Sequence, residues 1–116
     1  MDQSNFLLMK EAKIVAMTCT YAALRRQNLS ALGFNYDTVI IEEAAQILEI
    51  ETFIPFVMQS KEYANELKRI VLVGDHLQLP PIVQHHGLQS FGNLEQSMFT
   101  RFARLGCPLT ILDAQV

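Results

Sequence analysis

The feature that most constrains the fold of this chain is a pair of apolar segments, each followed within two residues by an acidic residue. Residues 39–41 (Val-Ile-Ile) lead into Glu42 and Glu43. Residues 71–73 (Val-Leu-Val) lead through a glycine into Asp75. Neither segment alternates with polar residues, which is typical of strands buried on both faces of a parallel sheet. Parallel strands need long crossovers, and the intervening stretch has room for a helix, so the pattern predicts an α/β fold.

The rest of the chain extends this prediction. Strands are predicted over residues 13–17, 38–41, 70–73 and 109–112. Helices are predicted over residues 21–32, 49–58, 62–68 and 94–105. Pro55 is expected to kink the second helix or divide it in two, and Asn93 is expected to cap the last helix, with Gln96 completing a capping box.

Composition limits the possible functions. The chain has 116 residues and a mass of 13.2 kDa. Hydrophobic residues make up 50% of the sequence and charged residues 18%, so the chain can bury a core within one domain. Its formal net charge of −3 excludes a broadly basic surface, and any nucleic-acid contact is expected to be local. No apolar run approaches the ~20 residues of a membrane span. Two distant cysteines without CxxC spacing favour a reducing compartment.

Acidic residues at the carboxyl ends of strands indicate a ligand crevice, because ligands of open α/β sheets bind there. Glu43 and Asp75 occupy such positions, where one or two carboxylates plus water can hold Mg²⁺. The alternative is that these acids only mark where each strand leaves the core. Gln78 follows on a loop stiffened by two prolines, and its amide can donate to a phosphate oxygen while accepting from water.

These residues carry a family resemblance. Residues 40–46 (Ile-Ile-Glu-Glu-Ala-Ala-Gln) resemble motif II of superfamily 1 helicases, and residues 73–81 (Val-Gly-Asp-His-Leu-Gln-Leu-Pro-Pro) resemble motif III. Residues 17–20 resemble the upstream motif whose threonines contact the nucleic-acid backbone, and residues 97–102 resemble the helix after motif III. The order and spacing are similar to the RNA helicases of the nonsense-mediated-decay-helicase branch, and the longer string 42–55 is similar to their intron-binding spliceosomal members.

The resemblance implies roles at the motif II and motif III residues. Glu42 would hold Mg²⁺ through water, and Glu43 would orient or activate the attacking water. Asp75 and Gln78 would bind the nucleotide, with Gln78 reading the γ-phosphate of ATP and Asp75 coupling the site to RNA. Glu42 stands where the family commonly has aspartate, so the metal geometry is expected to differ.

The resemblance also implies partners and a location. Thr18 and Thr20 would contact a phosphate of single-stranded RNA. Intronic pre-mRNA, spliceosomal proteins and the remainder of the helicase chain are the expected partners, in the nucleus and not at a membrane.

The implied fold is part of a first RecA-like P-loop NTPase domain over residues 1–116, with a mainly parallel sheet and flanking helices. The chain contains no G-x-x-x-x-G-K-[ST] sequence, so the phosphate-loop strand is expected to be absent. Such a strand would lie between segments 70–73 and 109–112, which should remain unpaired with one another. The 116 residues alone are therefore expected not to hydrolyse ATP.

Two other functions remain open. The chain could be a non-catalytic scaffold that keeps the fold within an RNA–protein complex. It could also be a phosphate-handling enzyme of another α/β family with Glu43 and Asp75 as metal ligands, although residues 78–81 (Gln-Leu-Pro-Pro) would have no role there. Zinc binding by His76, His85 and His86 is disfavoured, because adjacent histidines point apart.

Overall fold

The fold contains a two-stranded parallel sheet together with α-helices. The computed structural model describes residues 3–59, 67–83, 87, 89 and 92–114. The elements, in chain order, are α1 (Gln3–Glu11), α2 (Cys19–Ala31), β1 (Thr38–Ile41), a 3₁₀ turn (Ala44–Gln46), α3 (Glu49–Val57), β2 (Arg69–Leu72) and α4 (Met98–Arg104). The predicted α/β class is confirmed, and α1 is a helix that the sequence analysis missed.

The four predicted strands divide into two that form and two that do not. The strand predicted over 38–41 is confirmed as β1, and the one predicted over 70–73 is β2, displaced by one residue. Segments 13–17 and 109–112 are irregular, so those two predictions are wrong. Most of their side chains are exposed, with Ile14 at 88% and Ile111 at 83%. A strand forms only where its backbone groups find a partner, and segment 109–112 does not pair with β2.

Burial of both faces of the strands was also a wrong prediction. Ile41 is buried, but Ile40 is 63% exposed and Ile70 and Val71 are each 44% exposed. The physical reason is the size of the sheet. Two strands cover one another's edges but not their faces, so the apolar residues lack the layers that would bury them.

The first two predicted crossover helices are present with different ends. The helix predicted over 21–32 is α2, which ends before Gly33 at a φ of 71°. The helix predicted over 49–58 is α3, a single helix that contains Pro55, so division into two helices is wrong. The carbonyl of Pro55 accepts a hydrogen bond from the Tyr36 hydroxyl, which satisfies one of the carbonyls left over in the last turn. Most of the helix predicted over 62–68 lies outside the described residues.

The last helix is shorter than predicted and has a different cap. Asn93 has a φ of 49° and its carbonyl accepts from the Gln96 N–H at 3.0 Å, which makes a turn instead of a cap. Ser97 caps α4 through its side-chain oxygen, which accepts from the Thr100 N–H at 3.1 Å. Both asparagine and serine are good caps, and the left-handed backbone of Asn93 decides between them.

The chain divides into two compact units. The first unit contains Met1–Ile41 and Ile50–Val71, and the second contains Glu42–Glu49 and Leu72–Val116. The core of the first unit is formed by Ala22, Leu29 and Met58, with Met9, Met17, Phe34 and Tyr36 packed against them. Burial raises the pKa of Tyr36 to about 12. Within the described residues, no helix combines the length and apolar character needed to cross a membrane.

An ion-paired cluster lies at the starts of the two strands in the first unit. Asp37 and Arg69 form a salt bridge of 3.0 Å, and Arg69 Nε donates to Thr38 Oγ1 at 3.1 Å. The Asp37 carbonyl accepts from the backbone N–H groups of Lys68 and Arg69 at 2.8 and 3.0 Å. We call Asp37, Thr38 and Arg69 the Asp37 clamp, because they join the starts of β1 and β2.

Candidate functional site

The turn after β1 positions the motif II side chains in the second unit. Glu43 has left-handed backbone angles, φ 52° and ψ 32°, and begins the 3₁₀ turn. The Ala44 N–H donates to the Val73 carbonyl at 2.8 Å, which ties this turn to the residue after β2. Ala44 and Ala45 are buried, whereas Glu43 and Gln46 are exposed. The turn therefore buries its small residues and presents its polar ones.

Gly74 permits this close approach. A Cβ atom at Gly74 would lie 2.9 Å from Ala45 N and 3.2 Å from Ala44 N. Both are backbone atoms, which cannot move aside as a flexible side chain can. Position 74 therefore requires glycine, because a Cβ atom does not fit there without moving the backbone of the turn.

Helix α4 stabilises the 3₁₀ turn by packing. It packs against the 3₁₀ turn, and Met98 and Phe99 are buried on it. Arg101 forms a salt bridge with the Glu49 carboxylate, in which Nε donates to one oxygen at 3.0 Å and a second guanidinium nitrogen contacts the other oxygen. A bidentate guanidinium–carboxylate pair fixes orientation as well as distance. The His76 ring lies 6.4 Å from that of Phe99, between ring centroids.

A chain of side-chain hydrogen bonds joins motif II to motif III. Gln46 Nε2 donates to Glu43 Oε2 at 3.3 Å and to Gln78 Oε1 at 3.4 Å. Gln78 Nε2 donates in turn to Asp75 Oδ2 at 3.3 Å. Asp75 Oδ1 accepts from the Leu77 N–H at 2.9 Å, which holds that carboxylate in a turn. We call Glu43, Gln46, Gln78 and Asp75 the carboxylate–amide chain.

The structure thus brings together three of the predicted site residues, Glu43, Asp75 and Gln78. Glu42 lies in the same turn with an exposed side chain. Gln46 was missed as a site residue. Its signal was its position three residues after Glu43, where one 3₁₀ turn returns a side chain to the same side.

The predicted RNA contacts lie in the first unit. Segment 13–17 is not a strand, so Thr18 and Thr20 do not follow a strand end as predicted. Thr18 caps α2, its hydroxyl oxygen accepting from the Tyr21 N–H at 3.1 Å, and Thr20 is exposed in the first turn of that helix. The hydroxyl hydrogen of Thr18 can still be donated to a phosphate oxygen.

Cys19, between these threonines, does not have the character of a nucleophile. Burial, and next the negative charge of Glu51, raise the pKa of the Cys19 thiol. The thiolate is the reactive form, so this environment keeps the cysteine in its unreactive form.

The donor set at the carboxylate–amide chain fits a hard cation held mainly by water. Its carboxylates are exposed, and oxygen ligands are those that Mg²⁺ prefers. Within the described part of the chain, no group of three or more His, Cys, Asp or Glu residues could hold a metal ion. Mg²⁺ sites commonly use one or two carboxylates, with water and phosphate oxygens completing the shell, so Glu42 and Glu43 have suitable chemistry.

Comparison with known proteins identifies the class. The family described as AAA domain, AAA_11, matches residues 3–86, and the chain belongs to this family. Several of its relatives are named as helicases. RNA helicase aquarius of Mus musculus is 56% identical over 116 residues, which cover 99% of this chain and 8% of that protein.

Two further relatives are more distant. ATP-dependent helicase upf1 of Schizosaccharomyces pombe is 35% identical over 99 residues, covering 85% of this chain and 9% of that protein. Probable helicase MAGATAMA 3 of Arabidopsis thaliana is 36% identical over 114 residues, covering 98% of this chain and 13% of that protein. The resemblance to this helicase branch, and within it to aquarius, is confirmed. The chain spans only a small part of each relative.

Proposed function

We propose that this chain forms part of the ATP-hydrolysing core of an RNA helicase. The observation that carries the proposal is the carboxylate–amide chain, in which Gln46 links Glu43 of motif II to Gln78 of motif III. Two segments distant in sequence thereby present a carboxylate and an amide at one place. Hydrolysis of a phosphoanhydride needs these two functions, a group that orients water and a group that contacts the γ-phosphate. The relationship to helicases supports the same activity.

Each residue has a defined task in this proposal. Glu43 accepts a hydrogen bond from the attacking water and orients it, and takes up its proton as the new bond forms. Gln78 donates an N–H to a γ-phosphate oxygen, and Asp75 holds the Gln78 amide. Glu42 binds a water of the Mg²⁺ shell. The ion itself supplies charge neutralisation at the phosphates.

RNA binding and cellular context are part of the proposal. Thr18 and Thr20 donate to a phosphate of single-stranded RNA, and intronic pre-mRNA and spliceosomal proteins are the expected partners in the nucleus. The complete site is a RecA-like domain with a phosphate loop supplied from outside these 116 residues. The exposed apolar faces of β1 and β2 fit coverage by the remainder of a longer helicase chain.

The test is Glu43→Gln in the protein at its natural length. This change keeps the shape of the side chain and removes the base, so RNA-stimulated phosphate release should fall by about 10²–10⁴-fold. Binding of a fluorescent ATP analogue should be unchanged, since Glu43 contacts water and not the nucleotide.

The matched control is Glu11→Gln, the same chemical change at an exposed position at the end of α1. It should retain full turnover. If the Glu43 variant keeps its activity, Glu43 is not the base and the proposal is wrong. If the unaltered protein binds RNA but never releases phosphate, the non-catalytic scaffold is the correct function.

A further inference from the structure

Gln46 is the member of the carboxylate–amide chain without an assigned task. An amide nitrogen carries two N–H donors, and Gln46 Nε2 lies within 3.3 Å of Glu43 Oε2 and 3.4 Å of Gln78 Oε1. A single side chain therefore contacts both groups that the proposed hydrolysis requires. Its backbone belongs to the 3₁₀ turn, which packs against α4 and whose two alanines are buried. The backbone of Gln46 is therefore held in place, although its side chain is exposed.

The bonds of Gln46 determine which way the Gln78 amide faces. Gln78 accepts with Oε1 from Gln46 and donates with Nε2 to Asp75 Oδ2 at 3.3 Å. A reversed Gln78 would set its NH₂ group against that of Gln46 and its oxygen against a carboxylate, and both contacts are repulsive. With the observed orientation, the second N–H of Gln78 remains a donor suited to a phosphate oxygen.

We propose that Gln46 is a positioning residue that holds the Glu43 carboxylate and the Gln78 amide in the orientation needed for ATP hydrolysis. This inference rests on the proposed function. Gln46 itself contacts neither the nucleotide nor the attacking water. Its loss should therefore affect the chemical step and recognition of the γ-phosphate, while overall nucleotide affinity should change little.

The experiment compares Gln46→Ala and Gln46→Glu in the protein at its natural length. Gln46→Ala should lower kcat by about 10- to 100-fold, as loss of an orienting partner commonly does, with the KM for ATP changed by less than about threefold. Gln27→Ala, an exposed glutamine on α2, is the matched control and should retain kcat.

Gln46→Glu provides a readout that a purely structural role would not affect. It keeps the size of the side chain, removes both N–H donors and adds a carboxylate beside Glu43. Because it cannot donate to Glu43 or Gln78, kcat should fall while the KM for ATP changes by less than about threefold, a split that reduced folding would not produce. Each Gln46 variant should also lose part of the preference for a non-hydrolysable ATP analogue over ADP, measured by equilibrium binding.

The outcomes separate this inference from the proposed function. Reduced kcat with little change in the KM for ATP, together with a weaker preference for the ATP analogue, supports it. If both Gln46 variants keep kcat and the preference for the ATP analogue while Glu43→Gln abolishes turnover, the positioning role is wrong and the proposed function stands. If Glu43→Gln also retains turnover, the proposed function fails, and the positioning role fails with it.

Discussion

The Asp37 clamp and the carboxylate–amide chain are two exposed polar clusters that satisfy their charges differently. In the clamp, a carboxylate meets a guanidinium at 3.0 Å, so the pair is neutral. In the carboxylate–amide chain, two carboxylates are bridged only by the neutral amides of Gln46 and Gln78. The salt bridges formed by Asp37 and by Glu49 involve neither Glu43 nor Asp75.

This difference indicates which cluster serves the fold and which serves a ligand. A neutral pair is complete without any other molecule. Amides carry no charge that would neutralise a carboxylate, and the carboxylate oxygens have further acceptor positions, which favour a cation and water. If this comparison is correct, changes at the carboxylate–amide chain should reduce function more than stability, and changes at the clamp should affect stability alone.

The largest effect on stability is expected at Gly74, which supports the carboxylate–amide chain. Gly74→Ala would place a Cβ atom 2.9 Å from Ala45 N, so the backbone of the 3₁₀ turn must move. Overpacking of this kind costs about 1–3 kcal/mol. The measurement is urea unfolding of the chain, accompanied by ATP turnover in the natural-length protein, which should also fall because the Ala44–Val73 hydrogen bond is disturbed.

Gly92→Ala is the matched control for Gly74. Its new Cβ atom would lie 3.7 Å from Leu94 Cγ, an ordinary van der Waals contact. Stability should change by no more than about 0.5 kcal/mol. Equal losses for the two glycines would contradict the assigned crowding and leave Gly74 as an ordinary surface residue.

Replacing Glu43 with glycine is expected to raise the free energy of unfolding, by less than the Gly74 change lowers it. Its left-handed backbone costs a non-glycine residue about 1–2 kcal/mol, and strain of this type gathers at functional sites. Glu43→Gly removes the strain but adds freedom to the unfolded chain, so the net gain in unfolding free energy should be about 0.5–1 kcal/mol. ATP turnover should be lost in the same variant.

The neighbouring Glu42 offers the control, since its φ is not positive. Glu42→Gly should lower the unfolding free energy by about 0.5–1 kcal/mol, the usual cost of glycine. Urea unfolding of both variants measures the difference. A loss of stability in both would show that the Glu43 backbone is not strained.

Sequence patterns predicted some elements of the fold and of the site correctly and others not, and the differences have physical reasons. β1 was predicted with its observed ends, because its apolar run is followed at once by acids. Segment 109–112 is also apolar and followed by an acidic residue, but it does not pair with a strand of the sheet. The sequence of a segment does not show whether a partner strand is available to it. The meeting of Glu43, Asp75 and Gln78 was predicted because parallel strands end at one edge. The three-residue spacing of Glu43 and Gln46 fits a 3₁₀ turn, but spacing alone does not reveal that the chain forms this turn, which begins at the left-handed backbone of Glu43.

The smallest effect is expected at the Asp37 clamp. Asp37→Asn removes the charge and keeps the shape, so the backbone carbonyl can still accept from Lys68 and Arg69. The side chains of Arg69 and Asp37 are 66% and 49% exposed, and exposed pairs contribute about 0.2–1 kcal/mol. Urea unfolding at low salt should show a loss of unfolding free energy of about 0.5 kcal/mol or less that disappears near 1 M salt.

The control is Asp113→Asn, the same change at another exposed position, which should show no such salt-dependent loss. ATP turnover of the natural-length Asp37→Asn variant should be normal. A salt-independent loss above about 1.5 kcal/mol would exceed what an exposed pair supplies. Reduced turnover in a stable variant would instead give the clamp a functional role, and either result would end the distinction between the two clusters.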